Sequence, residues 1–235
     1  MPLQSVDLEK IVNNISLVSI HIPKTAGTSF RAILQDQIGK RKVAKLDINN
    51  SGTVLLNNKI LEKKRIHKRI EAIHGHFTFA EVQEKFAFRD DVQYITWLRN
   101  PVARVVSNYR FLNKIIANRL NELPDENLMA RMGKTLVEFA AVQENQNVMH
   151  KYLKGASLEK FSFVGIQDQF ESELTRLEDI MSWPRVSNRK HNVTGKSASS
   201  IDPETTAFIK SVNKEDVILF EQVLQLNQIS KEDFK

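Results

Sequence analysis

The chain has 235 residues, 41% of them hydrophobic, which is enough to bury a sizeable core; the length suits one domain or at most two, and we read a single domain over 1–235. It contains no cysteine, which excludes disulfides, iron–sulfur clusters, thiolate zinc sites and a cysteine nucleophile. The formal charge of +6 suits an anionic ligand or partner, and the six histidines are scattered, so a metal site has no support.

No basic segment followed by an apolar core opens the chain, and no run approaches eighteen apolar residues. The expectation is a cytoplasmic protein or a soluble catalytic domain, without signal peptide or transmembrane anchor. Residues 1–15 read as a polar lead-in with Leu8, Ile11, Val12 and Ile15 at helical spacing. Leu17-Val18-Ser19-Ile20 is an apolar strand. After it, His21-Ile22-Pro23-Lys24-Thr25-Ala26-Gly27-Thr28-Ser29-Phe30 forms a tight turn that enters a helix from about Thr28 to Ile38, stopped by Gly39.

A lysine, a glycine and three hydroxyls in a strand-to-helix turn outline a phosphate cradle, because helix N-terminal amides, hydroxyls and an ammonium converge on one anion. A Walker A loop places its lysine after the last glycine and needs an acidic partner for magnesium. Lys24 precedes Gly27, so this is a different loop.

Residues 40–70 carry Lys40-Arg41-Lys42-Val43-Ala44-Lys45, an Asn-Asn-Ser-Gly turn at 49–52 and Lys63-Lys64-Arg65 through Lys68-Arg69. They read as a solvated face, with a surface for a polyanionic acceptor as the sharper alternative. No aromatic residue interrupts these basic clusters, which argues against nucleic acid as a partner. Residues 70–79 read as a short strand ending in the turn His74-Gly75-His76, with a helix over 80–86 behind it. Such a histidine pair can bind zinc, catalyse, or hydrogen-bond backbone. The carboxyl end of a strand in an open α/β sheet faces the ligand crevice, which favours catalysis, and histidine suits proton transfer near neutral pH.

Residues 92–98 form a buried strand that ends in Arg99-Asn100-Pro101, with Asn100 as N-cap and Pro101 at the first helical position. Val102, Val105, Val106, Tyr109 and Leu112 make one apolar stripe, leaving Arg104 and Ser107 on the other side of the helix. Arg99 and Ser107 make a second anion site, so a ligand with two separated phosphate groups accounts for both junctions.

Further along, Leu123–Asn127 is a turn, and 135–153 reads as one helix with Leu136, Phe139, Ala140, Val148 and Leu153 buried. A strand over 161–166 leads to a helix from about Asp168 to Met181. The basic loop 184–200 precedes a helix started by Asp202-Pro203-Glu204, and a last amphipathic helix covers 216–226. The alternation of strands and helices predicts an α/β fold with a mainly parallel central sheet and helices on both faces.

Pro23 to Phe30 resembles the 5′-phosphosulfate loop of the sulfotransferases, and Leu98 to Tyr109 resembles their 3′-phosphate motif. The branch it is most similar to holds the heparan sulfate 2-O-sulfotransferases and related carbohydrate enzymes (sulfotransferase family 2), which carry a His-x-His-Phe-like segment between the two motifs. Further echoes are Glu144–Leu153, Phe161–Ile166 and Asn192-Val193-Thr194, so the resemblance spans roughly 16–226.

It implies a three-layer α/β/α fold like that of the P-loop NTPases, and 3′-phosphoadenosine 5′-phosphosulfate (PAPS) as sulfuryl donor without a metal. By this resemblance Lys24, Thr25, Ala26, Gly27, Thr28 and Ser29 wrap the 5′-phosphosulfate, and Arg99 with Ser107 holds the 3′-phosphate. Lys24 addresses the bridging oxygen, and His76 takes the proton of the acceptor hydroxyl with His74 as neighbour or substitute. The acceptor implied is a hydroxyl of a glycan or glycolipid. His150-Lys151 replaces the family's basic residue near the acceptor cleft, and the 184–200 loop corresponds to a flap. A P-loop kinase and a non-catalytic nucleotide-binding module are the competing readings.

Overall fold

The computed structural model of the protein describes residues 10–63, 65–122, 134–185 and 201–229. In chain order its strands and helices are β1 (Ile11–Val12), β2 (Leu17–Ile20), α1 (Gly27–Ile38), β3 (Val43–Ile48), β4 (Val54–Leu56), β5 (Lys59–Ile60), β6 (Ala72–Gly75), α2 (Phe79–Lys85), β7 (Phe86–Ala87), β8 (Gln93–Leu98) and α3 (Pro101–Glu122). There follow α4 (Leu136–Ala141), α5 (Val148–Leu153), β9 (Phe163–Ile166), α6 (Phe170–Ile180), α7 (Pro203–Val212) and α8 (Lys214–Leu226). The expected turn at 123–127, the segment 186–200 with Asn192–Thr194, and Leu8 lie outside the described residues.

The main sheet has seven strands in the order β5-β4-β3-β6-β2-β8-β9. Strands β3, β6, β2, β8 and β9 run parallel, and β4 and β5 add an antiparallel hairpin at one edge. Strands β2, β6 and β9 are buried along their whole length, as continuous apolar runs covered on both faces must be. One face packs Phe30, Ile33 and Leu34 of α1 with Phe170, Leu174 and Leu177 of α6 against Trp97 and Phe163. The other packs Val82 of α2, Met149 and Leu153 of α5, and Phe220 and Val223 of α8 against Val18, Ile73 and Tyr94. This is the expected three-layer α/β/α arrangement, and a mainly parallel sheet of this kind opens its ligand crevice at the strands' carboxyl ends.

Local signals set most boundaries. The Asn100 side chain caps α3 by accepting from the amides of Val102 (3.0 Å) and Ala103 (3.2 Å). Thr78 and Glu81 form a capping box on α2, and Asp202 caps α7.

Four sequence expectations are corrected. Ile11 and Val12 form a strand paired with Phe86 and Ala87, not part of a helix. The basic stretch contains β3, whose Lys45 and Asp47 alternate with buried residues and pair with each other at 2.7 Å. The helix expected over 135–153 breaks into α4, a 3-10 turn at Gln143–Asn145 and α5, because Asn147 takes a left-handed φ of 50° and its Oδ1 accepts from the amides of Glu215 and Asp216.

Arg104 is the fourth. It is 1% exposed and sits 3.7 Å from the fully buried Asp216, with Nη2 donating to the Asn145 carbonyl. Asp216 in turn accepts from the amides of Met149 and His150. The segment 145–150 is therefore a joint between α3 and α8, and Lys151 caps the Gln143 carbonyl at 2.6 Å.

At Gly75 the sheet admits no side chain, because a Cβ there would stand 1.8 Å from the Leu46 carbonyl oxygen. Gly75→Ala is expected to lower unfolding stability by ~3 kcal/mol, since the clash is with backbone that cannot swing away. A denaturant midpoint unchanged from the native protein would contradict this.

Candidate active site

Four parallel strands deliver one residue each into the same space. His21 follows β2, His76 follows β6, Arg99 follows β8 and Gln167 follows β9. All four line a cavity of about 390 Å³ at the carboxyl ends of the sheet. The loop between β2 and α1 lines it through Pro23, Lys24 and Ala26, the first turn of α1 through Gly27, Thr28 and Ser29, and α3 through Ser107, Asn108 and Phe111. The two sequence motifs thus meet in one site.

The loop is held in an unusual backbone shape. Lys24 and Ala26 both have positive φ, 73° and 68°, a strained conformation for residues with a Cβ. The Thr25 hydroxyl fixes it by donating to the Ile22 carbonyl at 2.8 Å. Thr25 is 1% exposed and does not line the cavity, so its hydroxyl serves the loop and not a ligand. Ala26 is the N-cap of α1 and supplies no side-chain acceptor, and no acidic residue occupies the first turn. The first amides of a helix without such a cap are free to bind an anion in the positive end of its dipole.

Two cations face this anion site. Arg99 Nη1 donates to the Lys24 carbonyl at 3.3 Å, and its Nε, 3.9 Å from Asp168 Oδ1, is buried without a hydrogen bond. Burial and the nearby Arg99 charge push the Lys24 ammonium below the usual lysine range, and it rests over the Phe111 ring, 3.8 Å from the centroid. Gln167 Oε1 is a further buried atom without a partner. Two like charges and the unpartnered Arg99 Nε–H donor beside one cavity are the chemistry of a polyanion site.

The histidines divide by position. His74 is 3% exposed in the middle of the sheet, with Nδ1 2.9 Å from Ser19 Oγ; it does not line the cavity. Burial, with His76 and Arg31 nearby, pushes it down to about 3, so it is neutral. His76 lies in the cavity wall, its amide bound to Asp47 Oδ1 at 3.0 Å. Its Nδ1 is 2.9 Å from the His21 carbonyl oxygen, which can only accept, so Nδ1 carries the proton and Nε2 of the neutral ring keeps its lone pair. A general base needs that tautomer.

His21, Phe111 and Gln167 are lining residues outside the two motifs, and Asn108 lies within the second without having been given a role. For His21 and Gln167 a signal existed, since each stands directly after a buried parallel strand, as His76 and Arg99 do. Among the described residues no group of three or more His, Cys, Asp or Glu side chains converges as a metal site. The basic residues 40–42 and 68–69 lie elsewhere. Lys42 pairs with Glu71 at 2.8 Å, and both immediately precede the first residues of β3 and β6, so this surface is at the end of the sheet opposite the cavity. Among the described residues no helix is long and apolar enough to cross a membrane.

Comparison with known proteins agrees with this picture. The model of the sulfotransferase family (Sulfotransfer_2) matches residues 10–234. Heparan sulfate 2-O-sulfotransferase 1 of Xenopus laevis is 33% identical over 106 residues, covering 42% of this chain and 30% of that protein. The human protein of the same name is 31% identical over 118 residues, covering 47% and 33%. This chain thus spans about a third of the length of these relatives. In fold it is similar to a sulfotransferase from Alicyclobacillus acidocaldarius, with a TM-score of 0.51 over 90% of this chain and 96% of that one, at 12% identity.

Proposed function

The chain belongs to the sulfotransferase family, and from that premise we propose that it is a single catalytic domain that transfers a sulfuryl group from PAPS to a hydroxyl of a carbohydrate acceptor. The observation that carries this reading is the meeting of two anion sites in one cavity, the uncapped start of α1 with Lys24 and the Arg99–Ser107 pair. A donor with phosphate groups at both the 3′ and 5′ positions fits such a cavity, whereas ATP leaves the second site unused. The carbohydrate acceptor is supported by the names of the relatives, and the basic surface at 40–42 and 68–69 does not adjoin the cavity.

PAPS supplies an activated sulfuryl group on a phosphate leaving group. In this reading the first amides of α1 and the hydroxyls of Thr28 and Ser29 would hold its 5′ end, and Arg99 with Ser107 its 3′-phosphate; all of these residues line the cavity. Lys24 neutralises the charge that grows on the leaving oxygen, a contact that strengthens as the bond breaks. His76 Nε2 takes the proton from the acceptor hydroxyl. His74, sealed in the sheet, supports this geometry without reaching the acceptor.

Equilibrium binding of adenosine 3′,5′-bisphosphate against ATP and ADP tests the donor assignment. The bisphosphate is expected to bind tightest; a preference for ATP would overturn it. In the same assay Arg99→Ala should weaken the bisphosphate by ~30–150-fold, the worth of a charge-assisted arginine–phosphate contact of about 2–3 kcal/mol. Adenosine 5′-phosphate, which lacks the 3′-phosphate, should lose much less. Equal losses for the two nucleotides would remove Arg99 from the 3′-phosphate.

A further inference from the structure

His21 belongs to no motif role, yet its ring lies against both His74 and His76. Its imidazole stacks on His76, with centroids 4.2 Å apart and planes 28° from parallel, and on His74 at 5.0 Å and 17°. Its backbone joins the same histidine strand, because the His21 amide donates to the Gly75 carbonyl at 2.9 Å while the His21 carbonyl accepts from His76 Nδ1 at 2.9 Å. On its far edge the ring lies against Gly27, where a Cβ would stand 2.0 Å from Nε2 and Cδ2. Gly27 is therefore the residue that makes room for the His21 ring, and the anion loop and the base share one wedge.

We infer that His21 is the positioning residue for His76: its carbonyl fixes the Nδ1–H tautomer and its ring fixes the plane of the His76 imidazole, so that Nε2 is aimed into the cavity. This rests on His76 being the base proposed above. One hydrogen bond to a carbonyl holds a ring at a point and lets it pivot; a ring stacked at 4.2 Å removes the pivot. The stack serves this purpose while its inner members carry no charge. Burial, with His74 and His76 beside it, holds His21 down at about 2, against the opposing pull of Asp47. The charged groups around the stack are Lys24 from the loop, Arg31 from α1 and Asp47 from β3. His21 and His74 thus stay neutral across the working range.

The test compares native protein with His21→Ala and His21→Phe by two readouts. One is turnover with PAPS. The other is the His76 Nδ1–H resonance in ligand-free protein by nitrogen-15 NMR, which does not depend on any substrate. His21→Phe keeps the stack and the carbonyl, and should hold kcat within ~3-fold with the Nδ1–H signal intact, because orientation is retained. His21→Ala should lower kcat by ~10–100-fold with donor KM within about twofold, since a misaimed base costs rate and not donor binding. Its Nδ1–H signal should be lost to exchange.

Unchanged kcat and an intact signal in His21→Ala would overturn the inference. So would equal loss in His21→Phe and His21→Ala, which would assign the effect to an imidazole nitrogen. Should His21→Ala fail to fold, the phenylalanine variant still decides between ring stacking and nitrogen chemistry. If native protein transfers no sulfuryl group while the resonance behaves as described, the sulfotransfer reading fails and the positioning of His76 by His21 stands.

Discussion

Lys24→Ala is expected to lower kcat by ~10²–10³ while affinity for adenosine 3′,5′-bisphosphate falls by no more than about tenfold, because the lysine is worth most where charge develops in the transition state. The structure gives the reason for this split. Lys24 sits in a left-handed backbone conformation stabilised from both sides, by Arg99 on its carbonyl and by the Thr25 hydroxyl on Ile22. Its ammonium is partly desolvated and rests over the Phe111 ring. An alanine at 24 leaves the start of α1, Arg99 and Ser107 in place, so product binding survives. Turnover within threefold of native would remove Lys24 from the bond that breaks.

His76→Ala carries the second large effect, a loss of ~10²–10⁴ in kcat, the usual worth of a positioned general base. His21 and His74, held down by burial at about 2 and about 3, stay neutral beside it and do not take over the role. His74→Ala is expected to behave differently, costing about 1–3 kcal/mol of stability for the Ser19 hydroxyl left buried without its partner. Transfer should persist in the folded His74→Ala protein. The opposite pattern, with His74→Ala inactive and His76→Ala active, would reverse the roles of the two histidines.

What was legible in the sequence is what short-range chemistry decides. A buried strand, a turn and a helix start are written within about fifteen residues at both Leu17–Phe30 and Gln93–Tyr109, the second with its Asn100 cap, and both junctions fold as read. Strand β3 escaped because its charged positions, Lys45 and Asp47, lie between residues that are buried only once β6 and β4 flank them, so its alternation read as part of a basic run. The break in the 135–153 helix and the burial of Arg104 have the same origin. Both depend on α8, whose Asp216 and neighbouring amides are remote in sequence.

Within the site, Lys24, Ala26, Gly27, Thr28, Ser29, His76, Arg99 and Ser107 were marked by their motifs and line one cavity. Thr25 and His74 were marked too, but the fold turns them inward. His21 was not marked, since nothing beside it in the sequence tells that β6 will bring two more imidazoles onto its ring. A residue that follows a buried parallel strand is the best candidate such a chain offers, whatever its neighbours are.

The central claim is tested most directly by incubating the protein with PAPS labelled in its sulfuryl group and a panel of glycans, and following the label. The account predicts transfer to a carbohydrate hydroxyl in native protein and its loss in both Lys24→Ala and His76→Ala. No transfer to any acceptor by a protein that binds adenosine 3′,5′-bisphosphate tightly would contradict it, and would leave a nucleotide-binding module in place of an enzyme.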